Sequence, residues 1–259
     1  MQHLKLALIQ SELVWQNADQ NRKNFSEKIN LISEDVDIVV LPEMFSTGFT
    51  MNPREVAEQM NGETVKWMQK TASIKDFAIC GSVVIEDKNK FYNRFIFVFP
   101  SGEIKYYNKR HLFSLAGEEK VYTSGVEKVI IHYNGWRICP QICYDLRFPV
   151  FARNVEEYDL LLYVANWPKP RINAWNALLK ARAIENMCYV VGVNRVGGDN
   201  NNLEYNGHSK TYNCYGEPIS KQTKEEEFVE LVCLDKNHIS QVRNQLNFLN
   251  DKDEFKLQL

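Results

Sequence analysis

Apolar residues along this chain fall into short, β-branched runs separated by amphipathic stretches. The runs "LKLALIQ" (4–10), "DIVVL" (37–41), "FAICGSVVI" (77–85), "RFIFVF" (94–99) and "KVIIHY" (128–133) read as strands. So do "WRICPQI" (136–142), "LLLYVAN" (160–166), "CYVVGVN" (188–194), "SKTYNCY" (209–215) and "EFVELVCL" (227–234). Many are apolar without alternation, the mark of strands covered on both faces. Helices are predicted over 18–34, 62–75, 148–157, 174–187 and 235–246; in the first, Phe25, Ile29 and Ile32 recur at helical spacing. The early order strand–helix–strand–helix–strand predicts a layered α/β protein whose helices cover at least one face of the sheet. No internal repeat or linker breaks the chain. "GGDNNN" (197–202) reads as a flexible surface loop, because it matches neither glycine pattern that cradles phosphate.

Composition narrows the function classes. A chain of 259 residues suits one domain, 1–259, with a deep core. A net charge of −2, with acids and bases well mixed, predicts neither a nucleic-acid nor a membrane partner. "MQHLKLALIQ" reads as a first strand, not a secretion signal, and no apolar run reaches the roughly 18 residues that span a bilayer. The cytoplasm is the expected compartment. Six cysteines include no CxxC, and Cys139 and Cys143, four residues apart on one strand, would lie roughly 13 Å apart. That distance excludes a disulfide or a shared metal between them. Most of the thiols are expected to be small buried hydrophobes. The five histidines show no ligand spacing, so no metal site is expected.

Chemistry concentrates at three strand ends. "DIVVLPEMFSTGF" carries Glu43 just past a strand that Pro42 stops. "IKYYNKRHLF" carries Lys109 after a short extended stretch, and "WRICPQICYDLRFP" carries Cys143 where a strand gives way to helix-like sequence. α/β sheets gather ligands beyond the carboxyl ends of their strands, so the three side chains could meet in one pocket. A cysteine attacks a carbonyl as thiolate and needs a base; a carboxylate supplies one. An ammonium and the backbone N–H of Tyr144 could bind the oxyanion that results. Each residue also has a plainer reading: a structural thiol, a helix-capping acid, and a solvated lysine in the basic cluster "KRH".

"LPEMFSTGF", "YNKRHLF" and "ICYDLRFP" resemble, in order, the three signature segments of the carbon–nitrogen hydrolase (nitrilase) superfamily. The resemblance runs from "LALIQ" through "ARAIEN" to "GHSKTYNCYGEPI", and "YDLRFP" after the cysteine is similar to the omega-amidase branch, bacterial 2-oxoglutaramate amidase-like. It implies a four-layer α-β-β-α sandwich of two mixed β-sheets with outer helices. It implies Glu43 as general base, Lys109 as stabiliser of the tetrahedral intermediate and Cys143 as thioester-forming nucleophile, in a reaction that needs no metal or organic cofactor. The second glutamate of the family falls on Glu118, with Glu119 one residue away. Members pair through segments that here are 148–157 and 174–187, so a homodimer is expected. In 174–187, Trp175, Leu178, Leu179 and Ile184 offer an apolar face that a monomer core could equally bury.

The branch implies hydrolysis of the ω-amide of a short 2-oxo dicarboxylic acid monoamide, 2-oxoglutaramate or 2-oxosuccinamate, with a small-molecule amide as the partner. A free carboxylate on the substrate calls for a cation. Arg147 is the candidate, either as that clamp or as the partner of a buried acid that orders the turn. Phe49, Phe113, Tyr144 and Trp167 are candidate pocket walls. A nitrilase or an N-carbamoyl hydrolase would share the three catalytic types. A non-catalytic dimeric binding scaffold is the alternative of another class.

Overall fold

The computed structural model of the chain describes residues 2–222 and 225–257. Two sheets form its centre. The first runs in the spatial order β13 (Phe228–Asp235), β1 (His3–Gln10), β2 (Ile38–Val40), β3 (Ala78–Asp87), β4 (Lys90–Val98), β5 (Ile104–Asn108). The second runs β12 (Lys210–Tyr212), β9 (Tyr189–Val193), β8 (Leu160–Val164), β7 (Trp136–Ile142), β6 (Ile131–Tyr133). A separate ribbon pairs β10 (Val196–Gly198) with β11 (Glu204–Asn206). Both large sheets are mixed: β1, β2 and β3 are parallel, as are β7, β8 and β9, while the flanking pairs are antiparallel.

Strand alternation builds the layers. In β1, Leu4, Leu6 and Leu8 face the second sheet, where Leu160, Leu162, Val164, Val191 and Val193 meet them in one buried core. Ala7 and Ile9 turn outward onto Phe25 and Ile29 of α1 (Ala18–Asn30) and Val65, Met68 and Ala72 of α3 (Glu63–Lys75). The outer face of the second sheet, with Leu161, Tyr163 and Val190, is covered by Trp175, Leu179 and Ala183 of α5 (Ile172–Asn186). The order helix, sheet, sheet, helix is the α-β-β-α sandwich expected above. α5 seats so closely that a Cβ on Gly192 would come within 2.6 Å of Leu179, which is why β9 carries a glycine there. Two short helices, α2 (Pro53–Val56) and α4 (Pro149–Ala152), and a terminal one, α6 (Lys236–Leu246), complete the set. Among the described residues no helix is long and apolar enough to cross a membrane.

Several boundaries differ from the sequence reading. The helix expected over 148–157 is only the four-residue α4. Asn154, fully buried, takes over the hydrogen bonding there: its side chain accepts from the Tyr158 amide at 2.8 Å and donates to the carbonyls of Tyr158 and Asn186, both at 3.0 Å. A side chain that satisfies the backbone in this way competes with the helix. The first helix stops at Asn30, not 34, because Ser33, Glu34 and Asp35 are exposed and bury nothing. "GGDNNN" is no free loop: Gly197 and Gly198 belong to β10, and the turn is tied by Asp199 Oδ1, which accepts from the amides of Asn201 (2.8 Å) and Leu203 (3.0 Å). Pro140 sits inside β7 without harm, since β6 pairs only as far as Ile138 and leaves that side of the proline unpaired.

Of the predicted dimer face on α5, Trp175 and Leu179 are consumed by the chain's own core, while Ile184 stays exposed. All six cysteines are free; Cys80, Cys139, Cys188 and Cys214 are buried, Cys143 is half-buried and Cys233 is exposed.

Candidate active site

The parallel strands point their carboxyl ends to the same side, and the three expected residues follow three of the eleven large-sheet strands. Glu43 comes three residues past Val40 at the end of β2, Lys109 directly follows β5, and Cys143 directly follows β7. The backbone bends sharply at two of them. Met44, next to Glu43, has φ +43°, and Cys143 itself has φ +44°. A side chain in that left-handed region is strained, and it lifts the sulfur out of the line of β7 toward the other two residues.

The side chains converge. Lys109 Nζ lies 2.9 Å from Glu43 Oε1 and 2.9 Å from Glu118 Oε2, with all three side chains buried. Glu118 also accepts the Phe113 amide at 2.6 Å. Glu119 is exposed, so of the two adjacent acids it is Glu118 that faces the lysine. Asn93 of β4 donates to Glu43 Oε1 at 2.7 Å, and the Asn166 amide, just past β8, donates to Glu43 Oε2 at 2.7 Å. The Asn166 side chain donates to the Glu43 carbonyl at 2.6 Å, fixing the loop that carries the acid. The Cys143 thiol donates at 3.9 Å to the carbonyl of Asn166, the residue whose amide holds Glu43 Oε2.

Electrostatics follow from this packing. Burial, then Glu43, pushes the Cys143 thiol well above its ordinary range, with Lys109 acting against them. Burial alone would lower Lys109, but Glu118 and Glu43 more than offset it and hold the ammonium charged above the ordinary lysine range. Burial raises the Glu118 carboxyl, with Lys109 opposing and Glu43 adding to it. One ammonium therefore sits between Glu43 and Glu118, beside a thiol that burial holds toward its neutral form.

A third carboxylate holds the two halves of the site in register. Asp145, fully buried, accepts at Oδ2 from the Ile142 amide (2.9 Å) and the Tyr107 hydroxyl (2.8 Å). Its Oδ1 accepts from the His111 amide at 2.9 Å, with the His111 ring Nδ1 at 2.8 Å. The turn bearing Cys143 is thereby clipped to the segment bearing Lys109.

Beside the sulfur lies a cavity of about 260 Å³, lined by Lys109, Cys143, Asn166 and the expected Phe49, Phe113, Tyr144, Arg147 and Trp167. The Tyr144 amide has no acceptor among the described residues and is second in the 3-10 turn that Cys143 begins, where N–H groups are left over. Arg147 is exposed and lies over the Trp167 ring at 5.0 Å; it pairs with no acid among the described residues, which removes the reading in which it orders the turn. The sequence reading missed Arg171, Asn201, Leu203 and Tyr205, which also line the cavity, the last three from the β10–β11 hairpin.

Residues 5–244 match the family model described as carbon-nitrogen hydrolase. The chain belongs to the carbon–nitrogen hydrolase family. Over 258 residues it is 43% identical to the omega-amidase YafV of Yersinia enterocolitica, covering 99% of this chain and 100% of that one. It is 31% identical to the 2-oxoglutaramate amidase of Bacillus subtilis (strain 168), covering 95% and 96% of the two chains. The fold superposes on the crystal structure of XC1258 from Xanthomonas campestris, a CN-hydrolase superfamily protein with an arsenic adduct in its active site. There the TM-score is 0.97 and the identity 39%, with 100% of both chains covered. This carbon–nitrogen hydrolase is thus an enzyme that cleaves carbon–nitrogen bonds, and the scaffold reading lapses.

Proposed function

We infer that this hydrolase is an omega-amidase, which cleaves the terminal carboxamide of a short 2-oxo dicarboxylic acid monoamide such as 2-oxoglutaramate or 2-oxosuccinamate. The observation that carries the reaction is the buried Lys109 ammonium 2.9 Å from Glu43, with the Cys143 thiol seated on the carbonyl of Asn166, whose amide donates to the same carboxylate. As sulfur attacks the carboxamide carbon, its proton passes to Glu43. The carbonyl oxygen, now an oxyanion, is met by Lys109 and the Tyr144 amide. Glu43 returns the proton to the departing nitrogen, ammonia leaves, and a thioester remains on Cys143. Water deprotonated by Glu43 then cleaves it, and the thiol is restored. Glu118 holds Lys109 in place throughout.

The substrate assignment is supported by the small cavity with apolar walls from Phe49, Phe113 and Trp167 and a guanidinium, Arg147, without an acid partner. It is supported also by full-length relatives that carry the omega-amidase and 2-oxoglutaramate amidase names. Two copies are proposed to pair through 148–157 and 174–187, where Val150, Val155 and Ile184 remain exposed. Ammonia release across 2-oxo amides, simple amides, N-carbamoyl compounds and nitriles tests the reading, with mass spectrometry for an acyl adduct on Cys143. Turnover of nitriles alone, or wild-type activity in Cys143→Ala, overturns it.

A further inference from the structure

The cavity beside Cys143 carries more positive charge than the reaction needs. Apart from Lys109, two guanidiniums line it, Arg147 and Arg171. Each lies over an aromatic ring: Arg147 Cζ is 5.0 Å from the centre of Trp167, and Arg171 Cζ is 5.1 Å from the centre of Phe113. The two are tied together, because the Trp167 indole N–H donates to the Arg171 carbonyl at 2.8 Å. The ring under one guanidinium thus anchors the backbone of the other.

Neither arginine forms an ion pair or a side-chain hydrogen bond among the described residues, whereas Arg94 and Arg182 are paired with Asp87 (3.1 Å) and Glu185 (2.9 Å). Two like charges in one small cavity repel, and among the described residues no acid pairs with either of them. A guanidinium held over a ring and without an acid partner has N–H groups left for forked hydrogen bonds to a ligand. One such fork takes one lone pair on each oxygen of a carboxylate. A second, from the neighbouring wall, can share that carboxylate and also reach an acceptor on the adjacent carbon.

We propose that Arg171 acts with Arg147 to read the 2-oxo acid end of the substrate, the two guanidiniums together covering the carboxylate and the adjacent keto oxygen. Arg171 is then a specificity-determining residue, and it lies outside the three signature segments. This assignment rests on the omega-amidase reading above.

The test compares kcat/KM for 2-oxoglutaramate, for its 2-deoxo analogue glutaramate and for uncharged butyramide, in wild type, Arg171→Gln, Arg171→Lys and Arg147→Gln. Loss of a charge-assisted hydrogen bond predicts a fall of about 10- to 100-fold for 2-oxoglutaramate in Arg171→Gln, chiefly through KM. The preference for 2-oxoglutaramate over glutaramate should shrink at least about tenfold with it. Arg171→Lys, a point charge without a fork, should restore the affinity only in part. Circular dichroism identical to wild type shows that the variant folds. If wild type turns over 2-oxoglutaramate and Arg171→Gln keeps both its efficiency and its preference, the Arg171 assignment alone falls. If wild type turns over neither acidic amide, the omega-amidase reading falls first and takes this one with it.

Discussion

Glu118 holds the Lys109 ammonium through both carboxylate oxygens, at 2.9 and 3.1 Å, in a place with no access to solvent. A buried ion pair of this kind is costly to break from one side, by about 3–5 kcal/mol, because the remaining charge has no water to turn to. The pair also sets where the ammonium can meet an oxyanion. Glu118→Gln should therefore lower kcat on the order of 10²-fold and lower the unfolding temperature. The sign with pH follows from Lys109, whose folded pKa lies above that of a free lysine. Its contribution to stability is complete below the unfolded value of about 10.4 and is lost only as pH rises through the higher folded value. Glu118→Gln removes the larger of the two carboxylate causes, so its alkaline unfolding should begin at lower pH than in wild type. Equal alkaline transitions would show that the pair does not hold the ammonium.

Glu43→Gln should separate making a thiolate from using one. Burial is the first cause that raises the Cys143 thiol, and Glu43 is the second. Removing the carboxylate leaves burial in place but takes away its repulsion, so the thiol should ionise at lower pH than in wild type. Turnover should nonetheless vanish, because nothing remains to carry the proton to the leaving nitrogen. Ultraviolet thiolate absorbance against a Cys143→Ala reference reads this directly and subtracts the exposed Cys233. A thiol that titrates at or above the wild-type position would contradict the geometry described for Glu43.

Asp145 accepts four donors, and an asparagine cannot. Asp145→Asn offers one oxygen and turns an NH₂ toward the Ile142 amide and Tyr107 hydroxyl or toward His111. Each buried donor left alone costs about 1–3 kcal/mol. Because the clip joins the Cys143 turn to the Lys109 segment, kcat should fall more than KM changes. Tyr107→Phe, which deletes one donor and leaves three, should fall between wild type and Asp145→Asn in both kcat and melting temperature. A Tyr107→Phe defect as large as that of Asp145→Asn would argue against the clip.

The strand-end logic was legible because apolar runs stopped by Pro42 or by a change of pattern mark strand ends at sequence level, and parallel strands send those ends to one side. What lay beyond it depended on side-chain direction. Glu118 and Glu119 are neighbours in a 3-10 turn that Gly117 opens at φ +74°, and only the turn of the backbone decides which of them is buried. Asn93 fell one residue outside the run "RFIFVF", although a polar residue inside a buried strand was the signal that could have found it. The β10–β11 hairpin was hidden by its glycines and asparagines, which look alike in a free loop and in a turn that Asp199 ties down. Arg171 carries no signal in the sequence, since nothing distinguishes it from a solvated arginine until Phe113 and Trp167 are seen beside it.

The strain at Cys143 offers a test independent of substrate. A non-glycine residue at φ +44° costs energy that glycine does not pay, on the order of 1 kcal/mol. Cys143→Ala removes the sulfur and keeps the strain, while Cys143→Gly removes both. Glycine loses more freedom on folding than alanine, which works against it elsewhere but is outweighed where the native φ is positive. Both variants should be inactive, and Cys143→Gly should be the more stable of the two by about 1 kcal/mol in denaturant titration. If Cys143→Ala were the more stable, the turn would not be holding the nucleophile against its backbone preference. The lifted sulfur would then be explained by packing around the half-buried thiol alone.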